Sequence, residues 1–536
     1  MSNLLQIRDE AFGAAARAHQ RIRFELAVFR NEGYNNRGDE KVGVLPTQVN
    51  ESLMPQISTG CIRLIPAFKE QQSDINVESD RPAPKEYEQI LIENLANWDK
   101  MYEEVYDEGM AMRTAIYRNL TVGNAIHKIR YDPDRRLVCA EGINPTCFAP
   151  DPEGIQSNFS DSDYVCQKNW RSARYIRKHY PDANLTKKPY SLDKGIHKKY
   201  TISEHKIDEI WMRRHVAEEC GVNVSETNRP IIVAKLIDDR IYRVQGSPYW
   251  YPEFPFCHWR NFLDLYDDGS NHNFWGYGYA TLCWTQQKML DEFLSNFVSI
   301  LRNLGIGRFI AEDGAIDEDF FSQMYGAIIR LNPEKNLSSI QHLEPESIPP
   351  EIMLFVNFIT NTMTDMMPSL SQVFAGEQPH ANQSGKAIQS LQIANFNQLS
   401  DNIREMNEFR MRRKRIKLAL TQQFARRPVE PYLWRGGLDM QDPFPEESRH
   451  IGFKLTSPDL TSLPNTTAGR IEVLERMAAL GYLPRDPFEL LGITKGYGWT
   501  QDDFVQIPIA PQPEGAAPQM HTGAANGYEQ GMRSER

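Results

Sequence analysis

The run FWGYGYATLCWTQQKMLDEFLSNFVSILRNLG, residues 274–305, decides the architecture. Gly276 and Gly278 mark a bend among aromatic residues. From Tyr279 onward Leu282, Met289, Leu290, Phe293, Phe297, Ile300, Leu301 and Leu304 form a proline-free helical stripe over 279–304, closed by Gly305. Downstream lies a compact insert: a strand in GRFIAE, a turn at Asp313-Gly314, a small acidic helix over 317–324, and a strand in AIIRLN. Pro345, Pro349 and Pro350 end it, and a second apolar helix is predicted over 351–366. The polar loop SLSQVFAGEQPHANQSG then leads into a helix predicted over 386–424, which at 1.5 Å per residue would be roughly 60 Å long. Ile388, Leu391, Leu399, Ile403, Met406, Phe409, Ile416, Leu420 and Phe424 recur at its period, with Asn395 and Arg413 in two slots of the same stripe.

Upstream the pattern is that of an α+β body. Residues 3–30 read as helix, and proline-rich 31–84 as an irregular arm with short strands. A long helical pattern over 85–120 ends at Gly123 and precedes AIHKIRYDPDRRLVCAEGI, two strands joined at Asp132-Pro133-Asp134. Short strands continue to about residue 262, interrupted by a helix near 172–180. After Pro428 a strand region leads to a helical pair over 468–480 and 487–491, and the Pro/Gly/Ala-rich tail reads as disordered.

The chain has 536 residues, 40% of them hydrophobic, which is ordinary for a folded chain with a sizeable core. No run approaches the roughly 18 apolar residues of a membrane span, and acids interrupt the N-terminal segment, so membrane and secreted classes drop out. With 71 acids against 60 bases the net charge is −11, which disfavours tight wrapping of nucleic acid but not transient sliding contact. Seven scattered cysteines without a C-x-x-C read as reduced, mostly buried thiols of a cytosolic fold.

No motif supplies an active site. Gly385-Lys386-Ala387 lacks the earlier glycine of a phosphate loop, where His380 stands, and Ala387 cannot hold magnesium. Gly276-Tyr277-Gly278 and Gly305-Ile306-Gly307 lack the third glycine of a dinucleotide fingerprint. Tyr266 breaks the oxygen spacing of a calcium loop at Asp264, Asp267 and Asp268. The twelve histidines are single, and His258 reads as a packed ring rather than a ligand. No cofactor or metal is implied. The basic run Arg410, Arg412, Arg413, Lys414, Arg415, Lys417 points nearly all round a helix, so it reads first as a solvated or subunit-contact face, with direct DNA contact as the alternative.

The order of parts resembles the portal proteins of tailed double-stranded DNA bacteriophages. NLTVGNAIHKIRYDP with INPTCFAPDPEG and SDYVCQKNWRSARYIRKHYPD resembles the wing strands and following helix. FWGYGYATLCWTQQKMLDEFLSN resembles the first stem helix, FAGEQPHANQSGKAIQSLQIA the tunnel loop and start of the long helix, and TTAGRIEVLERMAALGYL the first crown helix. The resemblance covers residues 85–500. It implies an α+β, mainly helical portal-type fold: N-terminal helix and arm (1–84), wing (85–270), first stem helix (271–304), clip (305–349), second stem helix (350–369), tunnel loop (370–385), long wing helix (386–427), wing strands (428–463), crown (464–505) and tail (506–536).

That resemblance implies a non-enzymatic ring of about twelve copies at one capsid vertex of the virion, assembled in the host bacterial cytoplasm. Double-stranded DNA would pass through it during packaging and ejection. Its partners would be the terminase large subunit, then a head-tail adaptor or tail proteins, and the major capsid protein, with scaffolding protein as a further candidate; no membrane is implied. Gln378, His380, Asn382, Gln383, Ser384 and Lys386 would belong to the tunnel loop facing DNA. Glu312, Asp313, Asp317, Glu318 and Asp319 would form the docking face of the clip, although residue by residue they also read as a plain exposed edge. The alternatives are a nucleotide-hydrolysing or DNA-processing phage enzyme, or another head-tail connector or minor capsid protein.

Overall fold

The structure, a computed structural model, describes residues 2–30, 54–70, 76–79, most of 95–263, 274–305, 308–311, 340–343, 351–370, 398–424, 453–456, 482–484 and 504–506. The chain divides into two units, Met1–Ser457 and Pro458–Arg536. In the second, Tyr482–Pro484 pairs antiparallel with Phe504–Gln506. The helical pair expected over 468–491 lies outside the described residues.

In the first unit the helices are α1 (Ser2–Ala14), α2 (Ala16–Phe29), α3 (Gln56–Glu70), α4 (Glu108–Val122), α5 (Ala173–His179), α6 (Arg214–Glu219), α7 (Tyr279–Gly305), α8 (Glu351–Met366) and α9 (Ser400–Phe424). Two larger antiparallel sheets, beside several two-stranded pairings, form the β part among the described residues. One has β1 (Asn124–Asp132) at its centre between β2 (Leu137–Ile143) and Phe256–Arg260. The other runs in the order Phe148–Pro150, β3 (Tyr164–Ser172), β4 (Ser203–Arg213), β5 (Ile231–Ile237), Arg240–Gly246.

The β1–β2 hairpin closes where the sequence places it, with Asp132 opposite Leu137 and the Asp132 carboxylate accepting from Asp134 N at 3.0 Å. Alternation along β1 splits its side chains between two neighbours. His127 meets Phe409 of α9 edge-on, while Lys128 reaches Glu209 of the larger sheet. Strand β5, IIVAKLI, is buried almost throughout, and its edge neighbour Arg240–Gly246 is partly exposed. The core is strongly aromatic, with Trp98, Trp259, Tyr102, Phe68, Phe148, Phe159 and Phe409 fully enclosed. Six of the seven cysteines are buried and all are free, as their scatter implies.

Several expectations need correction. The proline-rich 31–84 segment is not merely an irregular arm. It contains helix α3, whose Ile57, Cys61, Leu64 and Phe68 form a buried stripe at spacings of four, three and four. Pro55 stands just before the helix, and Pro66 is accommodated inside it because one lost amide is offset by burial of that stripe. The strand expectation there does hold, since Asn76–Ser79 pairs with Phe453–Thr456. The 85–120 helix is interrupted at Asp107, which takes a left-handed conformation (φ 48°) and caps α4 by accepting from Met110 N. Of the long helix expected over 386–424, the structure describes a turn at Gln398 and Leu399 and then α9, which starts at Ser400 with Asp401 in its first turn. The 386–397 part lies outside the described residues.

The basic run is not a solvated face. Arg413 and Lys417 are buried in the same α9 stripe as Phe409 and Ile416, and both donate to Glu108 Oε2, at 3.0 and 2.9 Å. Lys414 pairs with Asp99, and Lys417 lies 5.0 Å over the Tyr102 ring. Arg412 donates to Ser157 Oγ at 2.7 Å, while Arg415 stays exposed. The run is pulled inward because Asp99 and Glu108 arrive on a segment 300 residues earlier.

Glycines set the closest approach in the unit. Gly123, at φ +69°, ends α4, and a Cβ there would lie 2.2 Å from the Tyr277 carbonyl carbon. A Cβ on Gly278 would lie 2.0 Å from the Thr121 oxygen. Gly123→Ala and Gly278→Ala should each cost at least about 3 kcal/mol in urea unfolding. Gly13→Ala, with open space at its Cβ, should stay within about 1 kcal/mol of the parent. Glu108→Gln should cost about 3–5 kcal/mol by the same measurement, because two buried cations lose their shared carboxylate. Adding Lys417→Met should recover part of that loss.

Candidate functional site: the helix pair and its anchor

Helix α7 is anchored at its first residues by polar groups that the sequence does not advertise. Asn124, at the start of β1, holds the backbone just before the helix. Its Nδ2 donates to Gly276 O at 2.7 Å and Val122 O at 2.8 Å, and its Oδ1 accepts from Gly276 N at 2.9 Å and His258 Nε2 at 3.1 Å. His258 is a packed ring, stacked on Phe274 at 4.3 Å, and burial pushes its pKa well below the ordinary histidine value. Arg21 Nη2 donates to Gly276 O at 2.9 Å.

Glu25 completes the anchor. It occupies a slot in the buried α2 stripe His19, Ile22, Glu25, Phe29, and its Oε1 accepts from Gly278 N at 3.1 Å and from the Thr281 hydroxyl. Its Oε2 is buried with no hydrogen-bond partner among the described residues. Burial raises its pKa to about 7, against the lowering pull of Thr281, Arg21 and Gly278 N. Farther along α7, the buried Gln287 receives Gln56 N at 3.1 Å and Ile57 N at 3.4 Å on its Oε1, so it caps α3. The end of α8 meets the same helix: Ser369 Oγ donates to Gly60 O at 3.0 Å, and the Met367 sulfur occupies the space a Cβ on Gly60 would need.

Among the described side chains, burial on α7 therefore falls on Tyr279, Ala280, Cys283, Gln287, Leu290, Asp291 and Ser295, and on α8 on Ile359 and Met363. The leading turns of α8 are different. Met353, Leu354 and Phe358 are 56%, 68% and 65% exposed, and Phe355 touches Phe293 of α7 with ring centroids 5.0 Å apart. This is a contiguous apolar face on one chain, the kind of patch that marks an interaction surface. Between the two helices, Arg308–Ala311 pairs antiparallel with Ile340–Leu343. The first of these strands was legible in GRFIAE, and the partner at 340–343 was not anticipated.

Gln378, His380, Asn382, Gln383, Ser384 and Lys386, and likewise Glu312, Asp313, Asp317, Glu318 and Asp319, fall outside the described residues, as does the AIIRLN segment. Sequence reasoning missed Glu25, Asn124 and Gln287. Only Glu25 left a trace, as a carboxylate in an otherwise buried helical stripe. Among the described residues no group of His, Cys, Asp and Glu could hold a metal ion, and no helix is long and apolar enough to cross a membrane.

The Glu25 value lies above that of an unfolded glutamate. The stability contributed by the protonated form is therefore whole below about pH 4.5 and is lost as pH rises through 7. Thermal melts from about pH 5 to about pH 8 should show wild type losing up to about 3 kcal/mol relative to Glu25→Gln, which cannot ionise.

No curated protein matches the chain. Among solved structures, a chain from the virion of a native gene transfer agent particle is 12% identical, with 87% of this chain and 93% of that chain covered and a TM-score of 0.36. A chain from the neck of an empty gene transfer agent particle is also 12% identical, covering 88% and 93%, with the same TM-score. The phage P22-like portal protein family matches residues 91–428, which include the β1–β2 sheet, the glycine crossing, both helices of the pair and α9. With more than half of its length matched, the chain belongs to the P22-like portal protein family.

Proposed function

We propose that this chain assembles with copies of itself into the portal ring of a virion, a channel at one capsid vertex through which DNA is packaged and ejected. Family membership supports the portal role. The observation that carries the ring is the bare apolar face of α8, with Met353, Leu354 and Phe358 left in water by the single chain. A neighbouring copy would bury it. At about 1.5–3 kcal/mol per large apolar side chain, three such residues repeated at every interface supply a substantial part of the closure energy. Cyclic closure also satisfies every copy identically.

In this reading α7 and α8 are the stem, residues 305–349 the clip, and 370–385 the tunnel loop. Gln378, His380, Asn382, Gln383, Ser384 and Lys386 would line the passage with few cations, so that sliding DNA meets few phosphate contacts to break. Glu312, Asp313, Asp317, Glu318 and Asp319 would present a charged rim to the terminase large subunit and later to the adaptor or tail proteins, speeding encounter. The capsid protein would surround the wing. In this reading the chain is a conduit rather than an enzyme, and Arg413, Lys414 and Lys417 of the basic run are structural, engaged by Glu108 and Asp99.

Native mass spectrometry of the purified chain should show a closed ring of about twelve copies. Leu354→Glu combined with Phe358→Glu should leave monomers with an unchanged far-ultraviolet spectrum and melting temperature. A wild-type chain that remains monomeric under assembly conditions, or a double variant that still closes, overturns the assignment.

A further inference from the structure

Away from the helix pair, the two sheets enclose a cavity of about 400 Å³, within the range of small-molecule sites. Its charge is unlike that of the chain around it. Lys128 and Arg130 project from β1, Arg171 from β3 and Lys235 from β5, against only Glu141 of β2 and Glu209 of β4. Each carboxylate is shared between two cations. Glu141 bridges Arg130 at 3.1 Å and Arg171 at 3.5 Å, while Glu209 bridges Lys128 closely and Lys235 at 3.4 Å. Burial opposes ionisation of Glu209, but Lys128 and Lys235 outweigh it and hold its pKa at about 2. With both acids counted as charged, four cations leave a surplus of two positive charges in a protein whose net charge is −11.

Each acid has one cation from the facing sheet, Arg171 for Glu141 and Lys128 for Glu209, and a second from its own sheet, Arg130 and Lys235. Arg130 spends only its Nε on Glu141 among the described residues, which leaves the terminal fork of its guanidinium unspent. Arg130 and Arg171 are 38% and 40% exposed and stand at the solvent side, whereas Lys128 and Glu209 are buried deeper. Much of the remaining wall is aromatic. Trp211 lies parallel to Tyr249 (12°) and Tyr131 parallel to Phe424 (11°), and all four line the cavity. We infer that this cavity binds a small phosphate monoester carrying an aromatic ring, the chemistry of a nucleoside 5′-monophosphate. The phosphate meets the arginine forks and the ring lies along the aromatic walls. A phosphate monoester carries close to two negative charges at neutral pH, which matches the surplus, and planar forks suit its oxygens.

Isothermal titration of the full chain with adenosine 5′-monophosphate, adenosine and inorganic phosphate tests this. The nucleotide should bind with Kd below about 1 mM, and adenosine and phosphate alone should each bind at least about ten-fold more weakly, because each satisfies only half of the site. Arg130→Ala with Arg171→Ala should weaken the nucleotide by a similar factor or more while the melting temperature holds, since both side chains are partly exposed. A short oligonucleotide with and without a 5′-phosphate separates the two sources of this chemistry: phosphate-dependent binding points to strand ends, and binding of the free nucleotide alone points to a metabolite. No heat with the nucleotide at millimolar concentration, equal affinity for adenosine, or an undiminished double variant would each overturn the inference.

Discussion

The backbone crossing of Gly123 with Gly276–Gly278 is the constraint on which the rest of the first unit depends. Two segments 150 residues apart meet there with no room for a Cβ on either, so neighbouring side chains must satisfy amides sealed from water. Asn124 makes four hydrogen bonds at that point and Glu25 two. The crossing fixes the direction in which α7 leaves the body. Over the roughly 40 Å of a 27-residue helix, an error of about 5° at the base would displace the far end by about 3.5 Å. In the proposed ring, where identical helices must meet, such an error would misalign every interface, and a rigid polar knot at the base removes it.

Charge is managed by enclosure. An acidic chain keeps a dense cationic run on α9 yet turns Arg413 and Lys417 into the core, where Glu108 and Asp99 receive them. The same strategy between the two sheets is incomplete, because two carboxylates there face four cations. The first cluster, three cations on two carboxylates, is mostly buried and structural; the second, four on two, is open at one side and carries the larger surplus.

Elements whose formation is local were legible. The β1–β2 hairpin follows from alternation around an Asp-Pro-Asp turn, α5 was placed near 172–180, and α7 and α8 follow from long apolar stripes bounded by glycine and proline. Where local signals conflict, tertiary context wins. Prolines made residues 56–70 read as irregular, yet the stripe Ile57, Cys61, Leu64, Phe68 gains enough burial against α4 and α7 to carry a helix through Pro66. The break at Asp107 was hidden because an aspartate within a continuous apolar pattern looks like one more solvated residue.

The sequence by itself determined the series of helices and strands, the absence of familiar catalytic patterns and the family resemblance, because periodicity, turn residues and short motifs are properties of neighbours along the chain. Only the tertiary structure decided that Glu25, Asn124 and Gln287 anchor the helix pair, that Arg413 and Lys417 face inward, and that four cations share two carboxylates between the sheets. Those facts depend on which distant segments come together in space. A carboxylate 300 residues away changes the meaning of a lysine without leaving any mark on the residues beside it.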